Sequence, residues 1–341
     1  MAWFDTDGNM SENILFSKFT YTRNLAGKQG DVSEIIGKIE AVLKKNGFHT
    51  QKIQKDDKYK ALSYCEKQYV DEDFCAFTQN KAIFFNEPCS LCISVGGANL
   101  ISIYAILPGA SVRDAHKISS SAEELLDAEF DFAYDEALGY LSPLPHTCGS
   151  GIRISCALYL PLLTRADKIS SLSRTLASFG ISLYPIFPKS AEADIYIMTY
   201  SPHLSQSEDT CVEAFDKLIR DVVALEREEL KQLGAQTIFN IAEDAARALG
   251  ILAYSGSLSE CELISLCSDI RLCLSAGCSD RLLRNITPAS LNTLSFEGLS
   301  ASVLLNAHGA VKSQAELDCE RAMQVRRILL SLPEKNALVN T

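Results

Sequence analysis

The sequence predicts an α+β domain followed by an all-helical one, and three observations carry that expectation. Between residues 81 and 108, short β-prone runs at 82–85, 91–95 and 100–107 are separated by Pro88 and by Gly96-Gly97. Helical periodicity is interleaved with them, most clearly at 31–45. Beyond Leu233 the strand signal vanishes and only helical patterns remain. The boundary is therefore placed at Leu233, giving regions 1–233 and 234–341.

In chain order, 31–45 places Val32, Ile35, Ile36, Ile39, Val42 and Leu43 on one helical face, with Asp31 and Glu34 in capping-box spacing. Residues 152–160, 180–187 and 194–199 read as further strands, and 120–137 and 208–232 as helices. In the second region helices are expected at 237–254, 259–276 and 313–331, the last opened by Ser313 and Glu316 as another capping box.

Composition narrows the function. A chain of 341 residues, 47% of them hydrophobic, can bury a substantial core. The formal net charge of -11 argues against a broad nucleic-acid or anionic-membrane surface, because such binding rests on clustered Lys and Arg. The N-terminal residues have no basic segment leading into an apolar one, and no run of eighteen apolar residues occurs, so a soluble cytoplasmic protein is expected. The twelve cysteines are scattered through apolar runs and are expected to be mostly reduced core residues. Cys89 and Cys92 form one CxxC without a second pair or a nearby His, so no metal site is expected.

The most informative stretch is GYLSPLPHTCGSGIRIS at 139–155, where a Pro-containing loop runs into Gly-Ser-Gly and then a strand. Small residues there let backbone amides approach an anion, and Arg153 offers a guanidinium, though Gly-Ser-Gly is also ordinary turn chemistry. The stretch resembles the ATP:guanido phosphotransferase pattern GYLT-x-C-P-T-N-x-G-T-G-x-R-A-S, continued by ALYLPLL. The segment ARALGILAYSGSLSECELISLCSDIRLCLSAGC, then ITPASL at 286–291, then 318–327, resembles the helical domain of the bacterial protein-arginine kinases. The resemblance implies an antiparallel sheet flanked by helices for the first domain, and a homodimer.

It also implies a site that this chain has largely lost. Family members hold ATP phosphates with several arginines and orient the acceptor guanidinium with acidic residues beside a reactive cysteine; phosphoryl transfer is mostly positioning and charge stabilisation. The family pattern S-S-R-x-R-x-x-R-N-L falls on residues 16–25, where Lys18 keeps a charge without a bidentate fork, Thr20 keeps none, and Arg23-Asn24 is retained at a structural position. A solvated surface lysine is the competing reading of Lys18. The N-E-E-D-H-x-R pattern, counted back from Pro108-Gly109, falls on 96–102 with both glutamates and the arginine gone; a register on Asn86-Glu87 is the alternative. Leu144 stands where the reactive cysteine belongs, with Cys148 four residues later as either a relocated nucleophile or a small packed residue. The R-G-x-x-G-E-G-S-E pattern falls on 184–192 without its arginine and glycines.

The implied nucleotide-site remnants are Lys18, Arg153 and Ser155, with no catalytic residue. Each lost charge donor typically removes about 3 kcal/mol of transition-state stabilisation, and a modest enzyme supplies only about 8 kcal/mol. No useful kinase activity is therefore expected, and ATP and Mg are expected to bind weakly or not at all. The expected product is a pseudokinase; the rival is an active protein-arginine kinase rebuilt around Arg153, Lys18, Lys189 and Cys148. A structural protein that has borrowed the fold is neither supported nor excluded by these residues. In the helical domain the family's phosphoarginine-binding R-D-x-x-R-A reads Leu317, Asp318, Cys319, Glu320, Arg321, Ala322, leaving Asp318 and Arg321 as candidates against an ordinary amphipathic helix. The resemblance further implies protein clients, a Clp-type unfoldase and a small zinc-binding activator protein as partners.

Overall fold

The computed structural model describes residues 2–27, 31–54, 57–76, 80–187, 194–204, 206–278, 283–307 and 311–332. Ten strands run β1 (Ile14–Arg23), β2 (His49–Ile53), β3 (Lys81–Phe85), β4 (Leu91–Val95), β5 (Ile101–Pro108), β6 (Tyr134–Asp135), β7 (Gly139–Tyr140), β8 (Ile152–Tyr159), β9 (Ile181–Pro185) and β10 (Ile195–Tyr200). Eight form one sheet in the order β2-β3-β4-β5-β1-β8-β10-β9, with every pairing antiparallel, and β6-β7 make a small ribbon. The helices of the first region are α1 (Val32–Lys45), α2 (Lys58–Glu66), α3 (Glu72–Ala76), α4 (Val112–Asp127), α5 (Pro161–Arg165), α6 (Ile169–Ala177) and α7 (Glu208–Lys231). Those of the second are α8 (Ala235–Tyr254), α9 (Glu260–Ser275), α10 (Pro288–Glu297), α11 (Ser300–Asn306) and α12 (Gln314–Ser331). None of the described helices is long and apolar enough to cross a membrane.

The central strands are apolar on both faces because both are covered. On the back face Phe19, Tyr21, Ile103, Ile154, Cys156 and Met198 pack beneath α1, α4, α6 and α7. On the front face Phe16, Ile106, Ala157, Tyr159 and Ile197 pack against α2, α3 and the helices of the second region. Alternation along each strand then carries polar side chains onto the other end of that front face: Lys18 and Thr20 on β1, Ser102 and Tyr104 on β5, Arg153 and Ser155 on β8, and Thr199 on β10. The front of the sheet is thus half dock and half polar cleft.

Local differences from the sequence reading have local causes. Asp31 caps α1 by accepting from the Ser33 amide (3.1 Å), but Glu34 turns outward to Lys38 (2.8 Å) instead of closing a capping box. The helix expected at 120–137 is Val112–Asp127, because Val112, Ala115, Ser119, Ala122 and Leu126 form its buried stripe. After Asp127 the chain is drawn into extended pairing with the end of β1, through the Leu25–Phe132 bridge and the Ala133 amide to Asn24 carbonyl bond (2.7 Å). Ser313 caps α12 at the Glu316 amide (3.3 Å), while the Glu316 carboxylate reaches the Lys312 amide instead of Ser313 (2.7 Å).

The turn at 232–234 separates α7 from α8, where the sequence boundary was drawn, yet the two regions share one front core. Trp3 packs edge-on against Phe16 of β1 (4.7 Å between centroids) and Phe296 of α10 (5.0 Å). Asp7 accepts from the Ala289 amide (2.7 Å), Lys67 pairs with Glu297 (2.7 Å), and Tyr159 donates to the Ser268 carbonyl (2.7 Å). Trp3→Ala, by removing the ring that joins β1 to α10, is expected to cost about 3–5 kcal/mol. Urea unfolding followed by circular dichroism should still show a single transition, shifted to lower denaturant; two separated transitions would show that the regions unfold independently.

Candidate functional site

The polar end of the front face is closed by a carboxylate from outside the sheet. Asp71, in the link between α2 and α3, reaches over β1 and β8 to pair with Lys18 Nζ (3.2 Å) and with Arg153 Nη2. Antiparallel register places these cations together: Lys18 lies opposite Ser155, and Arg153 opposite Thr20. Lys18 is only 6% exposed and sits 4.6 Å from the Tyr104 ring centroid, so it is a buried, paired charge and not a solvated surface lysine. Burial alone would raise the Asp71 pKa, but Arg153 and Lys18 outweigh it and hold the carboxyl below its usual range. The same pairing pushes Arg153 further up. Ser155 turns sideways to Thr199 (3.1 Å).

The cleft at this triad is lined by Asp71, Asp73, Asn99, Ser102, Tyr104 and Arg153, among others, and its free volume is ≈ 10 Å³. That is room for about one water. Among the described residues Arg153 is the only guanidinium in its lining. Gly97, Ala98 and Asn99 belong to the β4–β5 turn that lines the cleft, whereas Asn86 and Glu87 occupy the β3–β4 turn at the opposite end of β4, with Glu87 on the exposed His49 (3.2 Å). Geometry therefore favours the 96–102 register over the Asn86-Glu87 one.

The Gly-Ser-Gly loop is bound to the sheet edge. The Gly151 carbonyl accepts from the Thr22 amide (2.8 Å) and from Arg23 Nη1 (3.3 Å), and Ser150 donates to the Pro202 carbonyl (2.8 Å). Gly151 has φ +60°, and a Cβ there would lie 2.6 Å from Arg23 Nη1, so glycine is required. Arg23 is buried, held by Glu123 (2.7 Å) and stacked 3.5 Å from the Tyr140 ring centroid; Asn24 receives the Leu100 amide (2.8 Å). Both serve the fold. Ser142, Thr147 and Asn99 form a hydroxyl–amide knot beside Leu144, with Ser142 Oγ 2.7 Å from Asn99 Oδ1 and 2.5 Å from Thr147 Oγ1. Cys148 is exposed and donates to the Ser142 carbonyl (3.2 Å), so it is not the packed small residue of the bland reading. Lys189, with the rest of 188–193, lies outside the described residues. The cysteines are less uniformly buried than expected: none of the twelve is in a disulfide, five are buried and three exposed. Among the described residues no group of three or more His, Cys, Asp or Glu is placed to hold a metal.

In the helical region Arg321 is fully buried and bonded to four acceptors: the Gly298 carbonyl (2.7 Å), the Leu258 carbonyl (2.8 Å), Asp318 Oδ1 (2.5 Å) and Ser300 Oγ (3.1 Å). Asp318 is thereby engaged as well and also accepts from Gln314 (2.8 Å). Arg321 pins α12 to the starts of α9 and α11.

Asp71 was not visible in the sequence as a site residue. Its setting, Tyr69-Val70-Asp71-Glu72-Asp73-Phe74, reads as acidic residues at the start of a helix, and nothing in the spacing says that one of them turns 82 positions away to Arg153. Asp71→Asn is expected to lower stability at neutral pH by about 2–4 kcal/mol, discounted for partial exposure, because it strands two cations. The Asp71 pKa is depressed on folding, so its contribution is present above the ordinary value of 3.8 and is lost as pH falls through the folded value. The gap between wild type and variant in urea melts should stay constant from about pH 5 to 8 and close below about pH 4. Calorimetric titration with phosphoarginine should give no saturable heat, because Arg321 has its donors filled; saturable binding abolished by Asp318→Ala would contradict this.

Residues 31–229 match the family model of the ATP:guanido phosphotransferase C-terminal catalytic domain, and 239–339 match that of the protein-arginine kinase McsB C-terminal domain. The protein-arginine kinase of Moorella thermoacetica is 24% identical over 343 residues, covering 96% of this chain and 97% of its own. That of Caldanaerobacter subterraneus subsp. tengcongensis is 28% identical over 238 residues, 67% of this chain and 71% of its own. Among solved structures, the duplicated taurocyamine kinase from Schistosoma mansoni superposes with TM-score 0.57 at 14% identity over 77% of this chain and 40% of that one. Lombricine kinase gives 0.51 at 15% identity over 67% of this chain and 69% of that one. The sheet order, the flanking helices and the two successive family matches together make this chain a member of the bacterial protein-arginine kinase family, within the ATP:guanido phosphotransferases.

Proposed function

We propose that the chain is a pseudokinase: a protein-arginine kinase homologue that no longer transfers phosphate and acts as a non-catalytic adaptor or regulator. The observation that carries this reading is the Asp71 carboxylate seated between Lys18 and Arg153 in a cleft of ≈ 10 Å³. A nucleotide polyphosphate and its Mg do not fit the residues present. Their cation partners are already neutralised, Asp73 adds a second negative charge to the lining, and displacing Asp71 would bury like charges together. Phosphoryl transfer needs surplus fixed positive charge around the phosphates, and here the cleft holds two cations and two carboxylates.

The adaptor role follows from what remains. The front core and the buried Arg23 and Arg321 networks hold the family's architecture together among the described residues, which supports a role that rests on shape. On this reading the partners are a Clp-type unfoldase, a small zinc-binding activator protein and protein clients, with the chain acting as a cytoplasmic homodimer. One observation favours the rival of an active, rebuilt enzyme: Asp71 and Asp73 restore carboxylates to the cleft from a new position and could orient an acceptor guanidinium.

Incubation with labelled ATP, Mg and an arginine-rich protein substrate is expected to give no acid-labile phosphate above background, and ATP to give no thermal shift. A ligand at 100 times its dissociation constant would add about 2.7 kcal/mol, which such a melt resolves easily. Phosphoarginine formation above trace level would return the chain to the active class. Capture of the Clp-type unfoldase from a mixture of purified components tests the adaptor role, and absence of any complex would remove it.

A further inference from the structure

The link that carries Asp71 is bracketed by two cysteines. Cys65 lies in the last turn of α2 and Cys75 in α3, where the Cys75 thiol donates to the Ala61 carbonyl, one turn before Cys65 (3.3 Å), so the two thiols face each other. Both line a cavity of ≈ 540 Å³ between α2, α3 and α9, walled by Leu62, Ile186, Phe187 and Ile264. Each is partly exposed, unlike Cys92, Cys156, Cys267 and Cys273, which are buried. We propose that Cys65 and Cys75 are a redox modification site: a dithiol that a hydroperoxide converts to an intramolecular disulfide, clamping the Asp71 link across its two helices.

The chemistry assigns different parts to the two sulfurs. The facing Cys65 thiol and the nearby Lys81 ammonium pull the Cys75 thiol below its usual range, against the effect of burial, while the facing Cys75 thiol and burial push Cys65 up. The Lys81 ammonium, which donates to the Phe74 carbonyl next to Cys75, makes Cys75 the attacking thiolate. Its sulfur takes the distal oxygen of the peroxide, the O–O bond breaks, and the leaving alkoxide or hydroxide is protonated, giving a sulfenic acid at Cys75. Cys65 then attacks that sulfur, its proton leaving with the hydroxyl as water. In sum, two thiols and one hydroperoxide give one disulfide, one alcohol and one water, with the peroxide as the two-electron oxidant. The assignment rests on the thiol geometry and does not depend on whether the chain transfers phosphate.

The chain offers its own readouts. Lys67 lies between the two cysteines, so trypsin separates them into peptides 61–67 and 68–81 unless a disulfide holds them together. The single tryptophan, Trp3, donates its indole N–H to the Lys67 carbonyl (2.9 Å), so its fluorescence reports on the link. Titration with hydrogen peroxide, alkylation and mass mapping should yield a linked 61–67/68–81 pair. Cys75 should be lost from the alkylatable pool before the exposed Cys148, Cys261 and Cys319. Wild type should show a change in Trp3 emission that reverses with reductant. Cys65→Ser should stop at a dimedone-reactive Cys75 with no emission change, and Cys75→Ser should leave Cys65 unoxidised. The proposal fails if both cysteines remain alkylatable at peroxide levels that oxidise the exposed ones, or if they link only to other cysteines. The wild-type mapping decides this even where a variant folds poorly.

Discussion

A carboxylate held between an ammonium and a guanidinium, on the polar half of a sheet face, is the interaction on which the functional reading turns. Lys18 and Arg153 come from neighbouring antiparallel strands whose register is set by the apolar halves of those strands, so they cannot separate without disrupting the core. Two cations so fixed and so poorly hydrated require a counter-charge from somewhere. Here Asp71 supplies it from within the chain.

The same inward turning of charge recurs where the family resemblance implies recognition of a modified arginine. Arg321 spends its donors on main-chain carbonyls, Ser300 and Asp318. Glu66 and Glu260, from opposite sides of the sequence boundary, both accept amides at the start of α11: Ala301 and Ser302 for Glu66, Ser300 for Glu260. Charged groups that could meet a ligand instead fasten α2, α9, α11 and α12 together. In both places the polar groups are engaged within the chain and help to hold its architecture together.

Much of the fold was legible in the residues. Strands Leu91–Val95 and Ile152–Tyr159 follow from unbroken β-prone runs bounded by turn residues, and α8, α9 and α12 follow from period, whereas the short α10 and α11 were not expected. The helix end at Asp127 was not, since the pull of β1 on residues 128–133 is a long-range pairing with no local signature. At the site, Lys18, Arg153 and Ser155 were found through motif positions, and register brings them together. Asp71 was missed because its partners are set by tertiary placement of a short link, and its sequence neighbours are those of any helix start. The burial of Arg321 was equally hidden: on a helical wheel, a charge satisfied inside looks like a charge facing water.

The aromatic contact between Trp3 and Phe296 has a consequence for how the chain is made. Trp3 finds this partner only after nearly three hundred further residues have followed it. Until α10 emerges, the front of the sheet presents bare hydrocarbon, an invitation to aggregation or to holding by a chaperone. Loss of the C-terminal helices, by truncation or by stalled translation, would therefore compromise the sheet domain as well as the appendage behind it.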